Sequence, residues 1–225
     1  KTQLRYNGNI VYNPIKDLTL SAVFSYIRDN MNRGYGETLN HISALRDGLA
    51  GWSSVGAYTK MEKLMELTAQ YNKEIGAHKF SVLGGYSYNE TDFEELWIDN
   101  YGFQDDYFGG WHNIGIGSAL KDGKANIGSK KTPTNLIGFF GRATYSFKNR
   151  YLLMGALRYE GASQLWGTDN AWGLFPSISV GWRITEEAFM KNQKIFDDLK
   201  LRVGYGVTGS QPKDPFLGVA MLKYG

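Results

Sequence analysis

The chain has 225 residues, no cysteine and a net charge of +3, with acidic and basic residues mixed along its length. Those figures exclude a disulfide scaffold, thiol catalysis and zinc–thiolate sites, and they leave nucleic acid no basic run to bind. Glycine, at 28 residues, is well above typical usage, and aromatics reach 15%, led by tyrosine, a balance that suits strands meeting two different solvents.

In chain order, the sequence reads as segments of about ten residues with period-two alternation. Leu4, Tyr6, Gly8, Ile10 and Tyr12 alternate with Gln3, Arg5, Asn7 and Asn9. Leu18, Leu20, Ala22, Phe24 and Tyr26 alternate with Thr19, Ser21 and Ser25. Met65, Leu67, Ala69 and Tyr71 oppose Glu66, Thr68, Gln70 and Asn72, and Phe80, Val82, Gly84, Tyr86 and Tyr88 oppose Ser81, Gly85, Ser87 and Asn89. In the second half, Ile137, Phe139, Gly141, Ala143, Tyr145 and Phe147 share a face against Gly138, Arg142, Thr144 and Ser146. Tyr151, Leu153, Gly155, Leu157 and Tyr159 lie opposite Arg150, Arg158 and Glu160. Leu174, Pro176, Ile178, Val180 and Trp182 oppose Ser177, Ser179, Gly181 and Arg183, and Leu201, Val203 and Tyr205 oppose Lys200, Arg202, Gly204 and Gly206.

The reading is therefore all-β, with about eight strands. Short links are expected near Asn13–Asp17, Lys73–Ala77 and Lys148–Arg150, and long ones over about Asp29–Lys60, Asp92–Thr134 and Ala162–Gly173. The Glu186–Asp198 link is intermediate, with Ala188, Phe189, Ile195 and Phe196 suited to one face of a short helix. Short turns on one rim and long loops on the other are the signature of an outer-membrane barrel. Lipid offers the backbone no hydrogen-bond partner, so strands that cross it must close on one another. No run reaches the roughly 18 apolar residues of a membrane-spanning helix. Tyr145, Phe147, Tyr151 and Trp182 sit on apolar faces near short turns, where amphipathic rings form a membrane girdle. A soluble antiparallel sheet with one buried face carries the same alternation and stands as the alternative.

The run Trp172-Gly173-Leu174-Phe175-Pro176-Ser177 leading to Gly181-Trp182-Arg183, with its flanking stretches from Leu136 to Gln211, resembles the barrel of SusC/RagA-type TonB-dependent transporters. Two places depart from that family's pattern: Glu160 to Gly167 in a loop, and Thr208-Gly209-Ser210-Gln211 at a strand end. The resemblance implies a barrel of 22 strands filled by an N-terminal plug, with long extracellular loops and short periplasmic turns. It implies energy delivered through the TonB complex, a SusD-like surface lipoprotein as partner, and import of oligosaccharide or peptide nutrients across the outer membrane of a Gram-negative bacterium. On this reading residues 1–225 are part of the transmembrane barrel domain, contacting outer-membrane lipid. The plug and the barrel's C-terminal part are expected to lie outside this chain.

No catalytic constellation appears. His41, His78 and His112 lack metalloprotease spacing and read as loop or rim residues, no metal or other cofactor is expected, and the chain does not read as an enzyme. The carboxylates Glu94, Glu95, Asp99, Asp105 and Asp106 lack calcium-loop spacing and read as a solvated loop. Loop aromatics are the candidate substrate contacts: Trp52, Trp97, Tyr101, Tyr107, Trp111 and Trp166. Sugar contact, docking of the lid lipoprotein and packing of the loops on themselves are all open to them. Arg142, Arg158, Arg183 and Arg202 face the lumen, where they suit plug contact better than steering of anionic cargo. A passive porin, a structural barrel and a soluble carbohydrate-binding β protein are the competing functions.

Overall fold

The computed structural model describes residues 1–106, 110–190, 192 and 195–210. Among the described residues, eight strands form one sheet in the order β1-β2-β3-β4-β5-β6-β7-β8, so each of them pairs with its neighbours in the chain. They are β1 (Thr2–Ile15), β2 (Leu18–Glu37), β3 (Trp52–Ile75), β4 (His78–Tyr101), β5 (Asn126–Phe147), β6 (Tyr151–Ala162), β7 (Trp172–Arg183) and β8 (Lys200–Gly206). The pairings of β5 with β6, β6 with β7 and β7 with β8 are antiparallel. Two short helices, α1 (Ile42–Arg46) and α2 (Ser118–Lys121), lie in the long links. No helix among the described residues is long and apolar enough to cross a membrane.

The short turns are tight for a local reason. Residues 16–17 join β1 to β2, and residues 76–77, with Gly76 at φ +59°, join β3 to β4. Between β5 and β6, Lys148 and Asn149 both take positive φ (52° and 55°), and Arg150 N donates to Phe147 O at 2.9 Å. That is a turn with both central residues left-handed, whose twist matches that of the flanking strands.

Three expectations are corrected. The long links are much shorter than read, because β2 to β5 run 20 to 24 residues each. Trp52, Trp97 and Tyr101 consequently lie in strands β3 and β4 and not in loops, and Trp172 begins β7. The extra strand length carries polar residues on both faces (Thr59, Lys60 and Glu62; Asp92, Glu94 and Glu95; Lys130 and Lys131), so no alternation marks it. The Glu186–Asp198 link forms no α-helix among its described residues: it holds single 3-10 turns at Ile184–Glu186 and Ala188–Met190. Glu187 between them is extended (φ −76°, ψ 148°), and Ile184 N and Thr185 N both donate to Leu199 O, which closes the base of the link.

Backbone contacts divide the chain into two units. One holds residues 1–6, 26–62 and 91–133; the other holds residues 7–25, 63–90 and 134–225. Fully buried apolar side chains are few among the described residues: Ala44, Phe103, Ala119 and Ala162. A soluble domain of this length packs a continuous apolar core, whereas here large side chains such as Ile178 (53% exposed), Val180 (55%) and Leu201 (54%) stand open to the surroundings.

Candidate functional site

Strand register fixes which side chains share a face. Across β5 to β8, Phe147, Tyr151, Trp182 and Leu201 are laterally aligned, as are Tyr145, Leu153, Val180 and Val203. The same face carries Phe139, Leu157, Tyr159, Leu174, Pro176 and Ile178, and no charged side chain where these strands pair, from Leu136 on β5 to Gly206 on β8. Exposure alternates along β6 and β7 in step with this parity: residues of this face are open apart from Gly155, Gly161 and Trp182, and their neighbours on the other face are half-buried or buried. Each of these apolar side chains would gain about 1.5–3 kcal/mol on moving from water into hydrocarbon.

Aromatic rings bound that face at both ends. At the turn end, His78 packs against Phe147 in a tilted arrangement (4.8 Å between centroids) and shares a 2.8 Å hydrogen bond with the Tyr145 hydroxyl, while Phe80 lies 4.9 Å from Tyr145. Phe147 and Tyr151 stack at 6.4 Å. At the other end, Trp172 stacks on Tyr159 (4.8 Å, 21°) and Phe139 (6.5 Å, 22°), and Tyr86 lies 5.3 Å from Phe139. Gly161 is required beneath Trp172, because a Cβ there would come within 2.7 Å of the indole. The residues expected to form a girdle, Tyr145, Phe147, Tyr151 and Trp182, thus stand together in one belt, and a second belt stands opposite. From Trp172 to Trp182 the strand runs roughly 33 Å at about 3.3 Å per residue, or about 25 Å of height at a tilt near 40°, the height of an outer-membrane apolar band.

One carboxylate ties the lower belt together. Glu187 accepts hydrogen bonds from Tyr151 Oη (2.7 Å) and Trp182 Nε1 (3.0 Å), and Arg150 Nη1 donates to it at 2.7 Å. These bonds, the Tyr151 hydroxyl foremost, hold its carboxyl below the usual carboxylate range. Sequence reading missed Glu187, because its partners lie far away in the chain. It reads His78 as a loop or rim residue, and the structure places it at the start of β4 with Tyr145 and Phe147 as its partners.

The opposite face is polar. Thr19, Ser21 and Ser25 donate to Asn13, Asn9 and Asn7 across β1 and β2, at 2.8, 3.3 and 2.8 Å. Arg158 bonds Glu160 at 2.6 Å and lies over the Phe140 ring at 5.7 Å. Arg158 and Phe140 line a hollow of about 400 Å³ with Glu66, Arg142, Phe175 and Ser177. Arg202 lines a second hollow of about 410 Å³ with Asn72, Ser81 and Ser179. Arg183 is drawn toward Asp198 (3.6 Å) at the base of the last link. The four arginines therefore share the polar face but do not form one cluster.

In the other unit, the aromatic candidates mostly pack against the protein. Trp111 lies flat on Gly34 and Gly36, where a Cβ at either position would press on the indole. Trp52 packs at 5.8 Å from Tyr35, and Trp97 covers Gly128. Asn100, fully buried, pins this region: its amide donates to Ile114 O (2.7 Å) and Gly117 O (3.1 Å), and its oxygen accepts from Tyr101 N (3.0 Å). Tyr107 lies outside the described residues. Trp166, 65% exposed on the β6–β7 link, offers the most open indole of the candidates. Glu94, Glu95 and Asp99 lie on β4 rather than in a loop, and no group of three or more metal-ligating side chains occurs among the described residues.

Comparison with known proteins agrees with this arrangement. Residues 1–216 match the family model described as TonB dependent receptor-like, beta-barrel. The chain is 33% identical over 215 residues to the TonB-dependent receptor P26 of Formosa agariphila, covering 95% of this chain and 21% of that protein. It is 35% identical over 162 residues to the TonB-dependent receptor SusC of Bacteroides thetaiotaomicron, covering 72% of this chain and 15% of that protein. The structure of the RagAB peptide transporter superposes with a TM-score of 0.76 at 23% identity, over 95% of this chain and 23% of that one. The chain thus spans about a fifth of the length of such relatives.

Proposed function

Because the chain belongs to the TonB dependent receptor-like β-barrel family, we propose that it is part of the transmembrane wall of a plugged importer in the outer membrane of a Gram-negative bacterium. The observation that carries this reading is the uncharged face of the paired stretch of β5 to β8, about 25 Å tall between two aromatic belts. In this reading the full protein also supplies a plug and the remaining strands, and Arg142, Arg158 and Arg202 meet the plug. Transport is powered through the TonB complex, and a SusD-like surface lipoprotein covers the outer mouth. The family is one of receptors and transporters rather than enzymes.

The cargo is an oligosaccharide or a peptide. Peptide is supported by the structural neighbour, a peptide transporter. Sugar is supported by exposed Trp166, whose flat ring suits a pyranose face. The test is uptake of a panel of oligosaccharides and peptides by cells with and without the gene, repeated with a protonophore. Loss of uptake of one cargo class on deletion, and its collapse with the protonophore, is the expected result. Uptake insensitive to the protonophore would make the protein a passive pore and overturn the proposal.

A further inference from the structure

The link between β7 and β8 is left without a role by the transport reading. Its Glu187 carboxylate is held by Tyr151 and Trp182, both on the outward face, and by Arg150 from the neighbouring hairpin turn. These bonds fold the start of the link sideways and fix residue 187 on the outer side of the wall, level with the lower aromatic belt. The turn Ala188–Met190 follows at once, so it is carried to the same level. Within it Phe189 is 68% exposed. The solvent that meets the outward face at the level of Tyr151 and Trp182 is the boundary between acyl chains and headgroups, where aromatic side chains partition favourably.

We infer that Ile184–Met190 is an interfacial anchor, laid against the outer side of the wall with Phe189 inserted into the inner leaflet of the membrane. The occupant of this surface is lipid, because the surface is continuous with the girdle: Trp182 and the link share one carboxylate. The anchor resists vertical displacement of the wall at its periplasmic rim. It rests on the outward face being lipid-facing, and the experiment separates the two claims.

A photoreactive benzoylphenylalanine is placed singly at positions 178, 179 and 189 of the full-length protein in isolated outer membranes, with heat-modifiable gel mobility reporting assembly of each variant. Lipid adducts are expected at 178 and 189 and none above background at 179. In the Glu187→Gln background, the adduct at 189 should fall while that at 178 stays unchanged. Lipid adducts at 178 with only protein adducts, or none, at 189 would overturn the anchor and leave the wall standing. Absence of lipid at 178 would bring down both.

Discussion

Ile178 and Ser179 are adjacent on β7 and point to opposite sides, so a charge placed at each in turn measures what those sides face. Ile178 lies about 13 Å along the strand from Trp182 and about 20 Å from Trp172, near the middle of the band. An arginine there would sit in hydrocarbon, at a cost of about 2–4 kcal/mol, or about 30- to 700-fold in the folding equilibrium. Ser179 lines a hollow of about 410 Å³ shared with Asn72, Glu74 and Arg202, and the expected change is within about 0.5 kcal/mol. The assay is guanidinium unfolding of the full-length protein in lipid vesicles, followed by tryptophan fluorescence, for wild type, Ile178→Arg and Ser179→Arg. Equal costs at the two positions would refute the reasoning. So would a neutral Ile178→Arg, the outcome expected if that face met water.

The remaining predictions concern the link, the long loops and the exposed indole. Glu187 has a folded-state pKa below its ordinary 4.5, so its contribution is present above about 4.5 and is lost as pH falls through the lower folded value. Hydrogen-exchange protection at residues 184–190, taken relative to the intrinsic rate at each pH, should therefore fall in that acid window, and the fall should vanish in Glu187→Gln. Asn100→Ala leaves Ile114 O, Gly117 O and Tyr101 N without their partner and should cost about 1–3 kcal/mol. Faster proteolytic cutting between β4 and β5, with the rest of the barrel intact, reads it out. If Trp166 touches cargo, Trp166→Ala should weaken uptake affinity about tenfold, as an interface anchor does, while heat-modifiable mobility stays normal; unchanged affinity would remove it from the site.

Legibility in the sequence followed the solvent. Where one face is wholly apolar, as at Leu153, Leu157, Ile178 and Val180, alternation is clean and the sequence gives the strands the register face they have. Along Thr59–Glu62 or Thr91–Glu95 polar residues occupy both faces, so extended strand looks the same as loop. That is why Trp52, Trp97 and Tyr101 were assigned to loops. The lower aromatic belt is visible in the sequence because its rings flank short turns. The second belt was not, because Trp172 adjoins a long link and Tyr159 and Phe139 are ordinary strand aromatics until register aligns them. The spacing of Ala188, Phe189, Ile195 and Phe196 suggested a helix, but the Glu187 bonds to a distant hairpin override local preference. The cargo left no local pattern, since indoles and phenols of the kind that bind it also brace the backbone.

The neighbour-to-neighbour strand order has a consequence for biogenesis. Every strand finds its partner among residues that immediately precede or follow it, so no segment need wait for a distant one to emerge. Loop-closure entropy stays low at each step, and a tight left-handed turn such as Lys148-Asn149 sets the pairing of its hairpin before either neighbour is added. Such a wall can be laid down two strands at a time, each new hairpin covering the hydrogen-bonding edge left by the last.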